Sequence, residues 1–187
     1  MRTTAAEAAG KRQILETLVG VFEEAGLPYC LLAGYDGYPD HIPSDIDFMV
    51  APEWNDRLPA LIALTAARSG AQLIQCLAHE TTAAYFVLAR LDGSAITWLH
   101  PDSSSDYRRE GRVWLHASRV MARRRLHPRG FWVPAPADAF AYYLVKKLDK
   151  GSLTEVQAAE LSRRYGEDRP GAARALRQIG RASCWAR

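Results

Sequence analysis

Apolar positions recur at helical spacing near the start of the chain, then give way to runs that suit strands. Ile14, Leu15, Leu18, Val19 and Phe22 share one face of a helix predicted over 5–25, and Gly26-Leu27-Pro28 ends it. "PYCLLAG" reads as a strand, followed by a loop rich in Gly, Pro and Asp and then by the strand "DIDFMVA". "PEWNDRLPALIALTAARSG" predicts a helix with Pro52 near its start and Gly70 as its C-terminal cap. "AQLIQCLAHE", "AAYFVLAR" and "SAITWLH" predict further strands, the last pair joined through the hairpin signal "LDG". Beyond Pro101 the character changes: "DSSSDYRREGR" predicts a polar loop and "FWVPAPAD" an extended connector. The remainder is helical, in "ADAFAYYLVKKLDKG", "SLTEVQAAELSRRYG" and "PGAARALRQIG". Ser152 and Glu155 have the spacing of a capping box. Tyr142, Tyr143 and Leu144 read as a buried helical stripe, and Trp98, Phe131 and Trp132 as core or interface residues.

Composition narrows the class without naming a function. In 187 residues, 48% are hydrophobic and 24% charged, which suits a globular chain with a sizeable core and argues against disorder. No apolar run approaches the ~20 residues of a membrane span, and the first residues lack an apolar signal core, so a cytoplasmic protein is expected. Cys30, Cys76 and Cys184 show no CxxC spacing; two lie in apolar runs and are expected to be buried, reduced thiols. The net charge of +3 is uneven, with Arg108, Arg109, Arg112, Arg119, Arg123, Arg124, Arg125 and Arg129 crowded mid-chain. The simplest expectation for that run is a solvated face.

One stretch departs from the pattern. "GYDGYPDHIPSDIDFMV", residues 34–50, sets Asp45 and Asp47 at the mouth of a buried strand, although acids are poor strand formers. Period-2 geometry turns both carboxylates to one face, about 6–7 Å apart along the strand. Like charges this close repel unless a cation stands between them, so the stretch asks for a metal. An EF-hand is excluded, because Phe48 and Met49 stand where an oxygen ligand and turn residues belong.

"LLAGYDGYPDHIPSDIDFMV" resembles the signature of the nucleotidyltransferase superfamily with the DNA polymerase β-like palm, small bacterial members of which are MNT-type and aminoglycoside-nucleotidyltransferase proteins. In that family a strand ends in Gly-Ser or Gly-Gly, a loop follows, and Asp-x-Asp opens the next strand. Here Gly34 and Tyr35 fill the turn and Asp45-Ile46-Asp47 follows. The motif covers residues 34–50; the element order extends the likeness to about 5–105. The resemblance implies an α+β fold, with a polymerase-β-like palm (a mixed sheet with helices) over 1–130 and a small C-terminal helical portion over 131–187.

The same resemblance implies a site. Asp45 and Asp47 would ligate metal, and a third carboxylate would come from a later, adjacent strand. Asp102 fits by order and strand polarity, Asp106 is a close rival, and Asp92 a weaker one in the hairpin signal. Such a set would hold two Mg²⁺ ions about 3.5–4 Å apart, with Asp102 also helping to activate the nucleophile. Lys146 and Lys147, on the helix after the palm, and Arg108 or Arg109, in the loop, are the implied triphosphate contacts, with Gly34, Tyr35 and Ser44 of the turn. Tyr35 departs from the family pattern, because a bulky residue stands where backbone meets phosphate.

The implied activity is transfer of a nucleoside monophosphate from a triphosphate such as ATP to a hydroxyl, with release of pyrophosphate. At 187 residues, without an evident duplex-gripping domain, small-molecule or protein acceptors rank ahead of nucleic acid. A catalytically weakened palm acting as an antitoxin-like binding partner is the alternative, and Tyr35 is its support. A homo-oligomer or a protein partner stays open, and no membrane partner is expected. A third reading takes the arginine run as a nucleic-acid contact, though "VWLH" and "FWVP" interrupt it.

Overall fold

The computed structural model describes residues 5–80, 82–109, 111–149, 151 and 153–184. After α1 (Ala5–Glu24), strand β1 (Tyr29–Ala33) pairs antiparallel with β2 (Asp45–Val50). β2 pairs parallel with β5 (Ala95–Ser104), which runs antiparallel to β4 (Ala83–Asp92), and β4 pairs in turn with β3 (Gln72–Glu80). The result is a mixed five-stranded sheet of order β1-β2-β5-β4-β3. β2 is flanked on both sides and covered on both faces, so Ile46 through Val50 are all buried and their apolar run does not alternate.

Two cores lie on the two faces. On one, Ile14, Leu18 and Phe22 of α1 and Ile62 of α2 (Leu58–Ser69) pack against Leu31, Phe48, Phe86 and Leu99. On the other, Cys30, Leu32 and Met49 meet Tyr142 and Val145 of α4 (Pro136–Asp149) and Ala172 and Ala175 of α6 (Arg169–Cys184). Burying a side chain of the size of Phe48 or Leu18 contributes about 1.5–3 kcal/mol. α5 (Glu155–Glu167) completes the helical layer.

Several local expectations change. Pro52 opens a 3₁₀ turn, Pro52–Trp54, rather than the helix; α2 begins at Leu58 with Pro59 in its first turn, where a missing N–H costs nothing. Gly70 does cap α2, in the left-handed region at φ 69°. The stretch expected as a polar loop continues β5 through Ser104, then forms a hairpin of β6 (Tyr107–Arg109) and β7 (Arg112–Leu115). A helix not foreseen, α3 (Ala117–Arg123), buries Ala117 and Val120, and β8 (Arg125–Leu126) pairs with β9 (Trp132–Val133). The capping box of α5 uses Thr154 and Gln157; Ser152 lies outside the described residues. The arginine run is not simply a solvated face: Arg119 and Arg123 reach the buried Asp138 at 3.0 and 3.6 Å, and Arg124 lies 4.7 Å over the Trp132 ring. Phe131 is buried, whereas Trp98 is 39% exposed on the sheet. Tyr142 is buried, while Tyr143 and Leu144 are only half-buried. Among the described residues, no helix is long and apolar enough to cross a membrane.

The thiols divide. Cys30 is buried, and burial pushes its pKa up to about 12; Cys76, expected in the core, is exposed on β3 because that strand forms the edge of the sheet. At pH 8, iodoacetamide is expected to alkylate Cys76 in the folded chain and to reach Cys30 only after unfolding, which peptide mapping reads directly.

Candidate functional site

Parallel pairing of β2 with β5 sets Asp47 opposite Asp102, and Asp45 opposite His100. Register partners on adjacent strands point to the same side, so Asp45, Asp47, His100 and Asp102 share one face of the sheet. The antiparallel neighbour adds Tyr85, which stands opposite Asp102. Where the helical layer ends, this face opens as a cleft lined by Asp47, Asp102, Asp106, Tyr107, Arg108 and Tyr142, among others. The site therefore lies at the rim of the second core.

Each acidic group already has company. Lys146 Nζ on α4 donates to Asp47 Oδ2 at 2.5 Å, with the Tyr142 hydroxyl 3.4 Å from the same nitrogen. Burial pushes the Tyr142 hydroxyl far above its ordinary range, and the charge of Asp47 adds to the effect. His100 Nδ1 is 3.0 Å from Asp45 Oδ1, although the Asp45 side chain is 71% exposed. The Tyr85 and Trp98 rings lie 5.7 and 6.5 Å from the His100 ring. Burial, then the charges of Asp45 and Asp102, raise the Tyr85 pKa. Asp106 accepts from the Ala117 backbone N–H at 2.9 Å and thereby serves the start of α3. Asp102 stands in register with Asp47, and both Asp102 and Asp106 line the cleft.

No family model matches the chain, and no curated protein matches it. Among solved structures it is similar to a candidate nucleotidyltransferase from H. pylori, with TM-score 0.51 and 14% identity over 75% of this chain and 59% of that one. JHP933 from Helicobacter pylori gives a TM-score of 0.49 at 13% identity, over 76% of this chain and 58% of that one. The likeness is one of fold. This chain spans less than two thirds of either structure.

The turn before the acids is tightly built. Gly34, at φ 92°, lies against β2: a Cβ there would stand 2.7 Å from the Asp45 carbonyl oxygen and 2.6 Å from Ile46 Cδ1. The Tyr35 side chain does not hang over this turn. It is buried in the first core, edge-on to Phe131 at 6.1 Å and to His127 at 6.0 Å, and burial pushes its pKa up to about 12. The bulk of the Tyr35 ring is thus turned inward. Ser44 is half-buried, and its carbonyl accepts from the His100 N–H at 2.7 Å.

The two lysines separate. Lys146 reaches Asp47, whereas Lys147 lies 5.0 Å over the Tyr143 ring and lines an apolar groove with Leu144, Leu148 and Leu161. Arg108 lines the cleft, half-exposed, 3.6 Å from Asp106; the Arg109 side chain lies outside the described residues. His100 joins Asp45 across the β2–β5 pair. That contact needed the β2–β5 register, which no local pattern carries.

Three carboxylates on one sheet face are hard oxygen donors of the kind Mg²⁺ takes. Among the described residues, however, no three Asp, Glu, His or Cys side chains close around one point. The Lys146 ammonium is the cation that faces Asp47. The donor chemistry suits a divalent ion, and an ion there must displace that ammonium.

Proposed function

We propose that the chain is a metal-dependent nucleotidyltransferase with a polymerase-β-like palm, moving a nucleoside monophosphate from a triphosphate to a hydroxyl of a small-molecule or protein acceptor. The observation that carries this reading is the register of β2 against β5, with Asp47 opposite Asp102 and Asp45 one pleat away on the same face. Asp45, Asp47 and Asp102 would hold Mg²⁺. When bound, the ion lowers the pKa of an acceptor hydroxyl and neutralises charge on the leaving pyrophosphate. In the transfer, the acceptor oxygen bonds to the α-phosphorus, the bond to the β-phosphate oxygen breaks, and the hydroxyl proton passes to Asp102. Lys146 leaves Asp47 for the triphosphate oxygens, and Arg108 meets the same anion from the cleft wall. Gly34 and the backbone of Tyr35 border the phosphates, and Ser44 keeps the following strand in place through its carbonyl.

A second reading has one observation in its favour. The Lys146–Asp47 ion pair neutralises the site from within, as suits a weakened palm that binds a partner in the manner of an antitoxin. One experiment separates the two. Calorimetric titration of ATP, GTP, CTP and UTP, with and without Mg²⁺, is expected to give Mg²⁺-dependent binding of at least one nucleotide. An Asp45→Asn/Asp47→Asn variant should lose that binding. Mg²⁺ binding without affinity for any triphosphate would favour the partner reading instead.

A further inference from the structure

The strongest feature the proposed chemistry leaves unused lies behind the turn. Arg164 of α5 is only 5% exposed, yet carries a full charge. Its Nη2 stands 3.2 Å from each carboxylate oxygen of Asp36, 128 residues away in sequence, and its Nε donates to Glu160 at 2.6 Å. The guanidinium also lies 5.1 Å over the Tyr143 ring of α4. Asp36 is two residues beyond Gly34, in the turn whose backbone runs against Asp45. The turn has its own hydrogen bonds, from the Tyr38 N–H to the Tyr35 carbonyl and from the His41 N–H to the Gly37 carbonyl, at 3.0 and 2.8 Å. The helical layer thus grips this turn at its acidic residue.

We propose that Arg164 is a positioning residue for the nucleotide end of the site: it fixes the turn after Gly34 and cancels the charge of Asp36, so that a polyanionic triphosphate can approach. The proposal rests on the nucleotidyltransferase reading. A bare carboxylate beside the turn would repel a triphosphate, and about half of the Asp36 side chain remains exposed to act at a distance. Arginine suits the task better than lysine, because its planar fork meets Asp36 and Glu160 at once. Glu160 is also held by Arg163 at 2.6 Å, so it does not depend on Arg164 alone. Asp36 is therefore the group most exposed by loss of Arg164. The C-terminal portion is then part of the site rather than an appended lid.

The test uses the full chain, the four nucleoside triphosphates with Mg²⁺ as probes, and amide hydrogen exchange. Arg164→Gln is expected to weaken triphosphate binding about tenfold, the scale of one uncompensated charge near a polyanion. It should also speed exchange of the Tyr38 and His41 amides, leaving those of Phe48 and Met49 unchanged. The Asp36→Asn/Arg164→Gln double variant should bring affinity back to within about threefold of the wild type, since the charge to be cancelled is gone. A double variant as weak as Arg164→Gln would reduce Arg164 to a pillar of α5 and overturn the proposal, as would unchanged affinity in the single variant. Should Arg164→Gln fail to fold, Arg164→Lys keeps the charge and should keep affinity while the turn exchanges faster; lost affinity there would also overturn it. A wild type that binds none of the triphosphates defeats the transferase reading and, with it, the electrostatic role. The exchange data then judge the clasp on its own: faster turn amides in Arg164→Gln retain it, and unchanged amides remove it.

Discussion

Replacing Gly34 by Ala is expected to cost about 3 kcal/mol and to lower the melting temperature by about 10 °C. Two effects add. At φ 92° an L-residue is strained, and the new Cβ would stand 2.7 Å from the Asp45 carbonyl oxygen, which is backbone and cannot rotate away. The strain term alone is about 1–2 kcal/mol, and overpacking supplies about 1–3 more. Because the obstructed atom belongs to Asp45, the shift passes straight to the strand that carries both carboxylates. Thermal unfolding by circular dichroism checks the stability, and a fall of less than about 3 °C would mean that β1 and β2 part without cost. Triphosphate affinity should fall with it, since Gly34 borders the proposed phosphate site.

This glycine also marks how far the sequence could be read. Residues 34–50 carried the local signals that matter: the glycine of the turn, the two acids and the apolar run behind them. Those signals located the strands flanking the turn, because a strand buried on both faces must be apolar throughout. The hairpin between β4 and β5 was equally local, set by Gly93. What failed was reading by polarity. β5 runs on through Pro101, Asp102 and Ser103, which look like a strand end and a loop, because β2 and β4 pair with it on both sides there. Likewise the arginines from 108 to 125 masked a hairpin and α3, although Gly111 and the spacing of Ala117 and Val120 were present to signal them. Asp102 is consequently not at a strand end but in register with Asp47.

The contacts that define the site lie beyond any local pattern. Lys146 and Asp47 are separated by 99 residues, His100 and Asp45 by 55, and Arg164 and Asp36 by 128. Helical periodicity gives the face on which Lys146 sits relative to Lys147, but not which face meets the sheet. The packing of Tyr142 and Val145 on Met49 and Leu32 decides that, and it brings Lys146 to Asp47 while leaving Lys147 at the apolar groove. The Tyr35 ring was equally hidden from local reading: a large residue in a turn looks like an obstruction, whereas its ring completes a core with Phe131, from a segment almost a hundred residues on.

Lys146→Ala should separate a cation site from a neutralised one. The variant leaves the Asp47 carboxylate, its side chain 9% exposed, without its ammonium. Breaking a buried pair costs about 3–5 kcal/mol, and the partial exposure of Lys146 places this pair near the lower end. A fall of about 6–12 °C in melting temperature follows for a chain of this size. Addition of Mg²⁺ should then recover most of that loss, because a divalent ion at Asp47 replaces the missing charge and stabilises only the folded state. In the wild type the same Mg²⁺ should raise the melting temperature far less, because there it must first expel Lys146. Triphosphate affinity should fall in the variant even with Mg²⁺ present, since the ammonium that passes to the phosphates is gone. No Mg²⁺ response in either protein would mean that Asp45, Asp47 and Asp102 do not take the ion. Lys146 would then be the permanent counter-ion of Asp47, and the chain a binding partner rather than a transferase.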